Sequence, residues 1–186
     1  MASPPNRAPG RLRRLIDRAL RAEGGASAVE FALVATPFLM LLFGVIEVAL
    51  IFMISTSLEN ATLAASRTIR TGEFQTSGTT TSAAFKTAIC SYFTWAQADC
   101  STNLSVDVRT YATFAGVTTP QPVQNGTFNT QSLQFSTGTA DDIVVVRAYY
   151  KWPLIVPFFD QAFQTLSGGN TLLTSTIAFR NEPYNG

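Results

Sequence analysis

An apolar stretch without a charged side chain, residues 31–46, constrains the fold more than any other feature of this sequence. After Glu47 the apolar character resumes, so Phe31 to Met53 forms a run of 23 residues. As a helix it would be roughly 34 Å long, at about 1.5 Å per residue. This length matches the hydrocarbon core of a bilayer, about 30 Å thick, and exceeds that of most buried helices in soluble proteins. The run therefore predicts one transmembrane helix.

The flanks of this run differ in charge, and the difference predicts its orientation. Residues 1–25 contain six arginines against Asp17 and Glu23, a net charge of +4, whereas the remaining residues carry −3 of the total of +1. A removable signal peptide fits poorly, because its apolar core usually has about 7–15 residues and is followed by a small-x-small cleavage site. The positive-inside rule places the N-terminus in the cytoplasm and everything after about residue 54 outside.

The segments around the run suggest further local structure. We expect residues 1–10 to be disordered and residues 11–21 to form a basic amphipathic helix, either solvated or lying on an anionic membrane surface. Past the membrane, apolar residues continue at steps of three and four, at Ile51, Ile54, Leu58, Ala61, Ala65 and Ile69. This spacing predicts one helix from about residue 27 to 71, kinked at Pro37 and capped by Gly72.

The rest of the chain predicts a small outer domain. A short helix is expected at 82–92, with Ser82 as N-cap and with Phe85, Ala88 and Ile89 facing inward, and another at 157–166. Strands are expected at 104–111, 142–150 and 171–180, with a long loop at 112–140. The fold class is therefore α+β: a long N-terminal transmembrane helix that extends into a small periplasmic domain with an antiparallel sheet of about three strands. We divide the chain into a leader (1–25), a transmembrane and extended helix (26–72) and a periplasmic domain (73–186).

The inventory of reactive side chains argues against an enzyme. Histidine is absent, which excludes Ser-His and Cys-His catalysis and every His-based metal site. The two cysteines, Cys90 and Cys100, are predicted to form a disulfide because they lie on the oxidising side of the membrane. We expect neither a metal nor a cofactor.

The junction that precedes the apolar run reads Gly24-Gly25-Ala26-Ser27-Ala28-Val29-Glu30-Phe31. A basic arm ends here in glycine, and one carboxylate, Glu30, stands at the edge of the apolar segment. An ionised group at such a position is costly unless it is paired. Taken alone, Glu30 would be a polar boundary residue that faces lipid headgroups.

Taken together, these residues resemble the leaders of class III prepilins, and specifically the TadE-like family of the tight-adherence (Flp, type IVb-like) pilus system. The resemblance is strong over residues 24–70 and near the C-terminus, and weak through 75–140. It is carried by Ala28–Pro37, Ile46-Glu47, Ala64-Ala65-Ser66-Arg67 and Phe179–Tyr184. Major pilins of this system are very short and usually carry Glu-Tyr. This chain has Glu30-Phe31 and a folded outer domain, which indicates a minor pseudopilin.

The resemblance implies a cleavage site and a pairing site. A prepilin peptidase would cut after Gly25, leaving Ala26 as the new N-terminus and Glu30 as the fifth residue; cleavage after Gly24 would make the glutamate sixth. Glycine would also leave the backbone extended and accessible ahead of the helix. The predicted subunit-pairing residues are Glu30, Phe31 and Glu47. Glu30 would meet the free amine of a neighbouring subunit, since two buried opposite charges are tolerated only as a pair. Glu47, about 25 Å further along, is either an interfacial residue or a second pairing group.

Two functions stay open at this point. The first is a minor pseudopilin, processed by the prepilin peptidase, that acts in the assembly of tight-adherence pili for surface adhesion. Its expected partners are the membrane, the peptidase and other pilins and pseudopilins of the Tad secretion machinery, with no nucleic acid. Its expected location is the inner membrane, with the C-terminal domain periplasmic. The second is an uncleaved, membrane-anchored periplasmic binding module. A membrane-tethered hydrolase lacks a nucleophile–base constellation.

Overall fold

The computed structural model describes residues 23–93, 99–156 and 160–184. Within these ranges the predicted fold class is confirmed: a long apolar helix comes first, and a small domain with a three-stranded antiparallel sheet follows. The arm at 1–10 and the amphipathic helix predicted at 11–21 lie outside the described residues.

The first helix, α1, comprises Glu23–Arg70, 48 residues. Residues 23–26, which the prediction placed outside the helix, are helical, so Gly24 and Gly25 lie within α1 rather than ahead of it. It ends as predicted, because Gly72 adopts the left-handed conformation (φ 79°) and donates its N–H to the Ile69 carbonyl at 3.2 Å. A residue with a Cβ would be strained there. Helix α1 continues through Pro37, and the predicted kink stays a prediction.

The chain divides after Val45 into two compact units. In the first unit the structure describes residues 23–45, which form the N-terminal part of α1. Most of its large apolar side chains are exposed; Phe31 is 75 % and Leu33 70 % exposed. The one hydroxyl near its middle, Thr36, donates to the Ala32 carbonyl at 2.7 Å. That hydroxyl therefore needs no partner from outside the helix.

The second unit starts at Ile46 and contains the rest of α1 together with every later element. Its other α-helices among the described residues are α2 (Glu73–Thr76), α3 (Ser82–Tyr92), α4 (Cys100–Asn103) and α5 (Asp160–Phe163), and two 3₁₀ helices span Phe114–Gly116 and Thr130–Ser132. Its strands are β1 (Leu104–Tyr111), β2 (Val123–Gln124), β3 (Thr127–Phe128), β4 (Ile143–Pro153) and β5 (Asn170–Arg180). The main sheet has the order β1-β4-β5, with both pairings antiparallel. Strand β4 is therefore central, as expected of the most apolar strand.

The core of this unit lies between one face of the sheet and the apolar stripe of α1. Five of the six stripe residues predicted from spacing are buried: Ile54, Leu58, Ala61, Ala65 and Ile69; the sixth, Ile51, is partly buried and packs against the cluster. Alternate residues of β1 and β4 face them, since side chains in a strand alternate between its two faces. The sheet contributes Val106, Val108, Val144, Val146, Ala148 and Tyr150.

Helix α3 closes one side of the core and carries the first half of the disulfide. Phe85 and Ile89 are fully buried and Ala88 packs against the core, as predicted. The predicted N-cap is wrong by one residue, because the Thr81 hydroxyl accepts the Ala84 N–H at 3.2 Å. The predicted disulfide is confirmed: Cys90 and Cys100 are bonded, with their Cα atoms 5.7 Å apart.

The segment at 112–140, predicted as a long loop, contains a small hairpin. Strands β2 and β3 pair around Asn125-Gly126, both of which have positive φ (51° and 71°). Two residues of that conformation match the right-handed twist of a two-residue hairpin. The prediction missed the hairpin because its strands have only two residues each. Of the helix predicted at 157–166, the structure describes α5, and residues 157–159 lie outside the described part.

Candidate functional site

The N-terminal part of α1 has the properties of a membrane segment. Among the described residues one helix is long and apolar enough to cross a bilayer, Ser27–Arg70, with a mean hydropathy of 2.6 over its most apolar window. Only 11 % of that window is buried inside the protein, whereas a core helix of a soluble protein would be mostly covered. The helix therefore indicates a single-pass membrane anchor.

Glu30 and Phe31 lie near the start of this segment, and both side chains are exposed. Within the described part of the chain, no hydrogen bond or ion pair reaches the Glu30 carboxylate. A carboxylate next to an apolar segment is stabilised by a cation or by donors. Glu30 lies five residues after Gly25 in the sequence.

Glu47 lies in a different environment, and its side chain is fully buried (0 % exposed). Its Oε2 accepts hydrogen bonds from the backbone N–H groups of Ile155 and Val156, each at 3.1 Å. Its Oε1 is buried without a hydrogen-bond partner among the described residues. Neither interpretation of Glu47 from the sequence, as an interfacial residue or as a pairing group, included this contact. Its spacing could have indicated burial, because Glu47 precedes Ile51 and Ile54 by four and seven residues, on the same helix face.

The C-terminal stretch that resembles TadE-like proteins packs against the end of α1. Glu182 donates its N–H to the Arg70 carbonyl at 2.8 Å, and its carboxylate pairs with the Arg70 Nε at 3.1 Å. A Cβ on Gly72 would overlap the ring of Tyr184. Two of the four stretches that carry the resemblance, 64–67 and 179–184, contribute to one open groove of about 450 Å³. The groove is lined by Asn60, Leu63, Ala64, Ser66, Arg67, Arg70, Ile177, Ala178 and Phe179.

A charged cluster on the other face of the sheet was not predicted. Asp107 of β1 lies directly opposite Arg147 of β4, and both are buried. The Asp107 carboxylate accepts from Arg147 Nη1 at 3.3 Å, from Arg109 Nε at 2.9 Å and from the Gln134 N–H at 2.8 Å. Arg147 in turn donates to the Thr118 carbonyl at 2.6 Å.

This cluster attaches the 112–140 segment to the sheet, which gives it a structural role. Burial, followed by the negative charge of Asp107, raises the pKa of Tyr149 on the same face, although the two arginines partly oppose the effect. Tyr149 is therefore a neutral phenol at physiological pH. No group of three or more metal-ligating side chains was found among the described residues.

Comparison with known proteins adds one finding, and it falls on α1. Residues 25–67 match the family model described as "TadE-like protein". The matched range begins at Gly25 and lies wholly within α1; the C-terminal stretch that shares the resemblance lies beyond it. No curated protein and no solved structure matches the chain. This match over residues 25–67 confirms the resemblance to TadE-like proteins that the Gly24–Phe31 junction predicted.

Proposed function

We propose that this chain is a minor pseudopilin of the tight-adherence pilus system, cut by a prepilin peptidase after Gly25 and acting in pilus assembly for surface adhesion. The observation that carries the proposal is the TadE-like match, which begins at Gly25 and covers the helix. The exposed apolar surface of α1 supports the proposal. A pilin-like helix can move from lipid onto other subunits only if the outer domain of its own chain leaves that surface uncovered.

The proposed cleavage acts at the Gly24-Gly25 pair of α1. This pair has the lowest helix propensity of any residue pair without proline. The helix can therefore open there at small cost and present an extended backbone to the peptidase. Cleavage would remove the six arginines of the arm and create an α-amino group at Ala26.

The proposed assembly step uses Glu30. Its carboxylate has no partner among the described residues, and the new α-amino group of a neighbouring subunit would supply one. Two opposite charges in a poorly solvated setting are stabilised only when they meet. This requirement would fix the axial register of neighbouring subunits, with Phe31 packing beside the pair. A pairing role for Glu47 stays a prediction, because one of its oxygens is already used within the chain.

The proposed topology is a cytoplasmic N-terminus and a periplasmic outer domain in the inner membrane. The charge asymmetry around the apolar run supports this orientation. The disulfide supports it independently, since Cys90 and Cys100 both follow the run and a stable disulfide is expected in an oxidising compartment.

Co-expression with and without a prepilin peptidase in a host that lacks one tests the proposal. The wild-type chain should lose residues 1–25 only when the peptidase is present, as read by intact mass. Gly25→Leu should keep the arm, whereas the matched control Gly10→Leu, in the same arm but far from the site, should be cut normally. If the peptidase leaves the wild-type chain intact, the pseudopilin proposal fails and the anchored binding module takes its place.

A further inference from the structure

The turn at residues 153–156, which starts with the last residue of β4, exposes apolar side chains. Residues 153–156 read Pro-Leu-Ile-Val, and Ile155 is 59 % exposed. Lys151 and Trp152 precede them, with the lysine exposed and the indole partly buried. A tryptophan beside a lysine next to apolar residues is typical of side chains at a membrane–water interface.

The backbone of this turn has all of its N–H groups satisfied within the protein. Pro153 has no N–H, and Leu154 donates to the Gly169 carbonyl at 2.9 Å. Ile155 and Val156 both donate to Glu47 Oε2 at 3.1 Å. Irregular backbone is tolerated at membrane depth only when its polar groups are satisfied internally. Residues 153–156 meet that requirement for their three donors, two of which the buried Glu47 carboxylate accepts.

The residue that holds the turn belongs to the apolar run of α1. Glu47 precedes Met53, the last residue of the run, by six positions, or about 9 Å of helical rise. Ile46 and Phe52, on either side of it, are 45 % and 69 % exposed. The two hydrogen bonds that Glu47 accepts therefore place the 155–156 backbone beside a part of α1 that is itself suited to lipid.

From this juxtaposition we infer that residues 153–156 insert into the outer leaflet of the bilayer, at the boundary of headgroups and acyl chains, and that Glu47 sets their depth. The partner is the lipid surface. Glu47 is then a positioning residue: it neutralises two backbone donors so that Leu154, Ile155 and Val156 can enter an apolar medium. The inference rests on the membrane anchor and does not depend on cleavage after Gly25.

Site-directed spin labelling of the full chain in phosphatidylethanolamine–phosphatidylglycerol vesicles tests this. Both native cysteines are in the disulfide, so an added cysteine provides a unique thiol. Ile155→Cys is the probe and Phe114→Cys the matched control, since Phe114 is 56 % exposed but follows β1 at the opposite end of the sheet, where Tyr111 pairs with Ile143. The label at 155 should collide more with oxygen than with a water-soluble nickel chelate, and the label at 114 should show the reverse. Equal nickel accessibility at the two positions would overturn the inference.

Variants of Glu47 in the Ile155→Cys background test the positioning role. Glu47→Ala removes the acceptor, so the label at 155 should gain nickel accessibility up to the value at 114. Glu47→Gln keeps an amide oxygen for both N–H groups and should preserve the protected state. The label at 114 should be unchanged in both variants, which reports an intact domain. If the label at 155 stays inaccessible to nickel in Glu47→Ala, Glu47 does not set the depth of residues 153–156. Cleavage of the leader should be the same in both variants.

Discussion

The two halves of α1 use similar apolar residues in different ways. In residues 23–45 the side chains of Phe31, Leu33 and Val34 are 70–75 % exposed. In residues 46–70, Ile54 and Leu58 are at most 2 % exposed, because the sheet covers them. Apolar content therefore does not by itself show what covers a residue. The spacing does: a run that is apolar on all sides suits lipid, whereas a stripe at steps of three and four suits one packed face.

Two of the four glutamates of α1, Glu30 and Glu47, differ in the same way in their electrostatic environment. Glu30 is exposed and has no partner among the described residues, whereas Glu47 is fully buried and binds two backbone N–H groups. Of this pair, Glu30 exposes its carboxylate and Glu47 uses its carboxylate within its own chain. The predictions below separate these two roles.

The largest effect is expected from Glu30→Ala. The variant should be cleaved and remain in the membrane, because the Gly25 site and the arm are unchanged and a more apolar segment inserts at least as well. Removing one member of a buried charge pair costs about 3–5 kcal/mol, so few or no surface pili should form. Electron microscopy of a strain that lacks the native copy measures this. Glu59→Ala, at an exposed carboxylate of the same helix, is the control, and normal piliation by Glu30→Ala would contradict the pairing mechanism.

A leucine from each half of α1 tests the contrast in packing. Leu58→Ala should lower the free energy of unfolding of the outer domain by about 2–5 kcal/mol, because it opens a cavity between helix and sheet. Leu33→Ala should leave that free energy unchanged to within about 0.5 kcal/mol, since it removes no contact inside the domain. Thermal unfolding of the full chain in detergent, followed by near-UV circular dichroism, compares the two. Equal losses would mean that the halves are not energetically distinct.

A smaller effect is expected from the disulfide, which stabilises only the second unit. The paired change Cys90→Ser and Cys100→Ser should cost about 2–3 kcal/mol in the chain-entropy model, because the loop that it closes is short. Membrane insertion and processing should be unaffected. Thiol labelling of the native protein under denaturing, non-reducing conditions is the accompanying check. Two reactive thiols there would contradict both the disulfide and the periplasmic location of the domain.

Local patterns in the sequence predicted most of the elements. The stripe from Ile51 to Ile69 predicted the covered face of α1, and Gly72 predicted its end, since both signals involve neighbouring residues only. The alternating residues at 104–111 predicted β1 with its exact bounds. The Asn125-Gly126 pair was a usable hairpin signal that short strands obscured.

What escaped prediction depends on distant parts of the chain. Asp107 and Arg147 are 40 positions apart and meet only through the register of β1 and β4. Glu47 and Ile155 are 108 positions apart. The Glu47 carboxylate binds backbone N–H groups, so the side chains of residues 155 and 156 give no indication of the contact. Long-range register is the information that one sequence does not supply.

The most direct test of the account is the N-terminal residue of the protein purified from its native membrane. Cleavage after Gly25 would remove the basic arm and make Glu30 the fifth residue of a chain that begins with a free amine at Ala26. Mass spectrometry should therefore find a chain that begins at Ala26 and lacks all six arginines of the arm. A membrane-resident protein that keeps residues 1–25 in cells that make the peptidase would contradict the account.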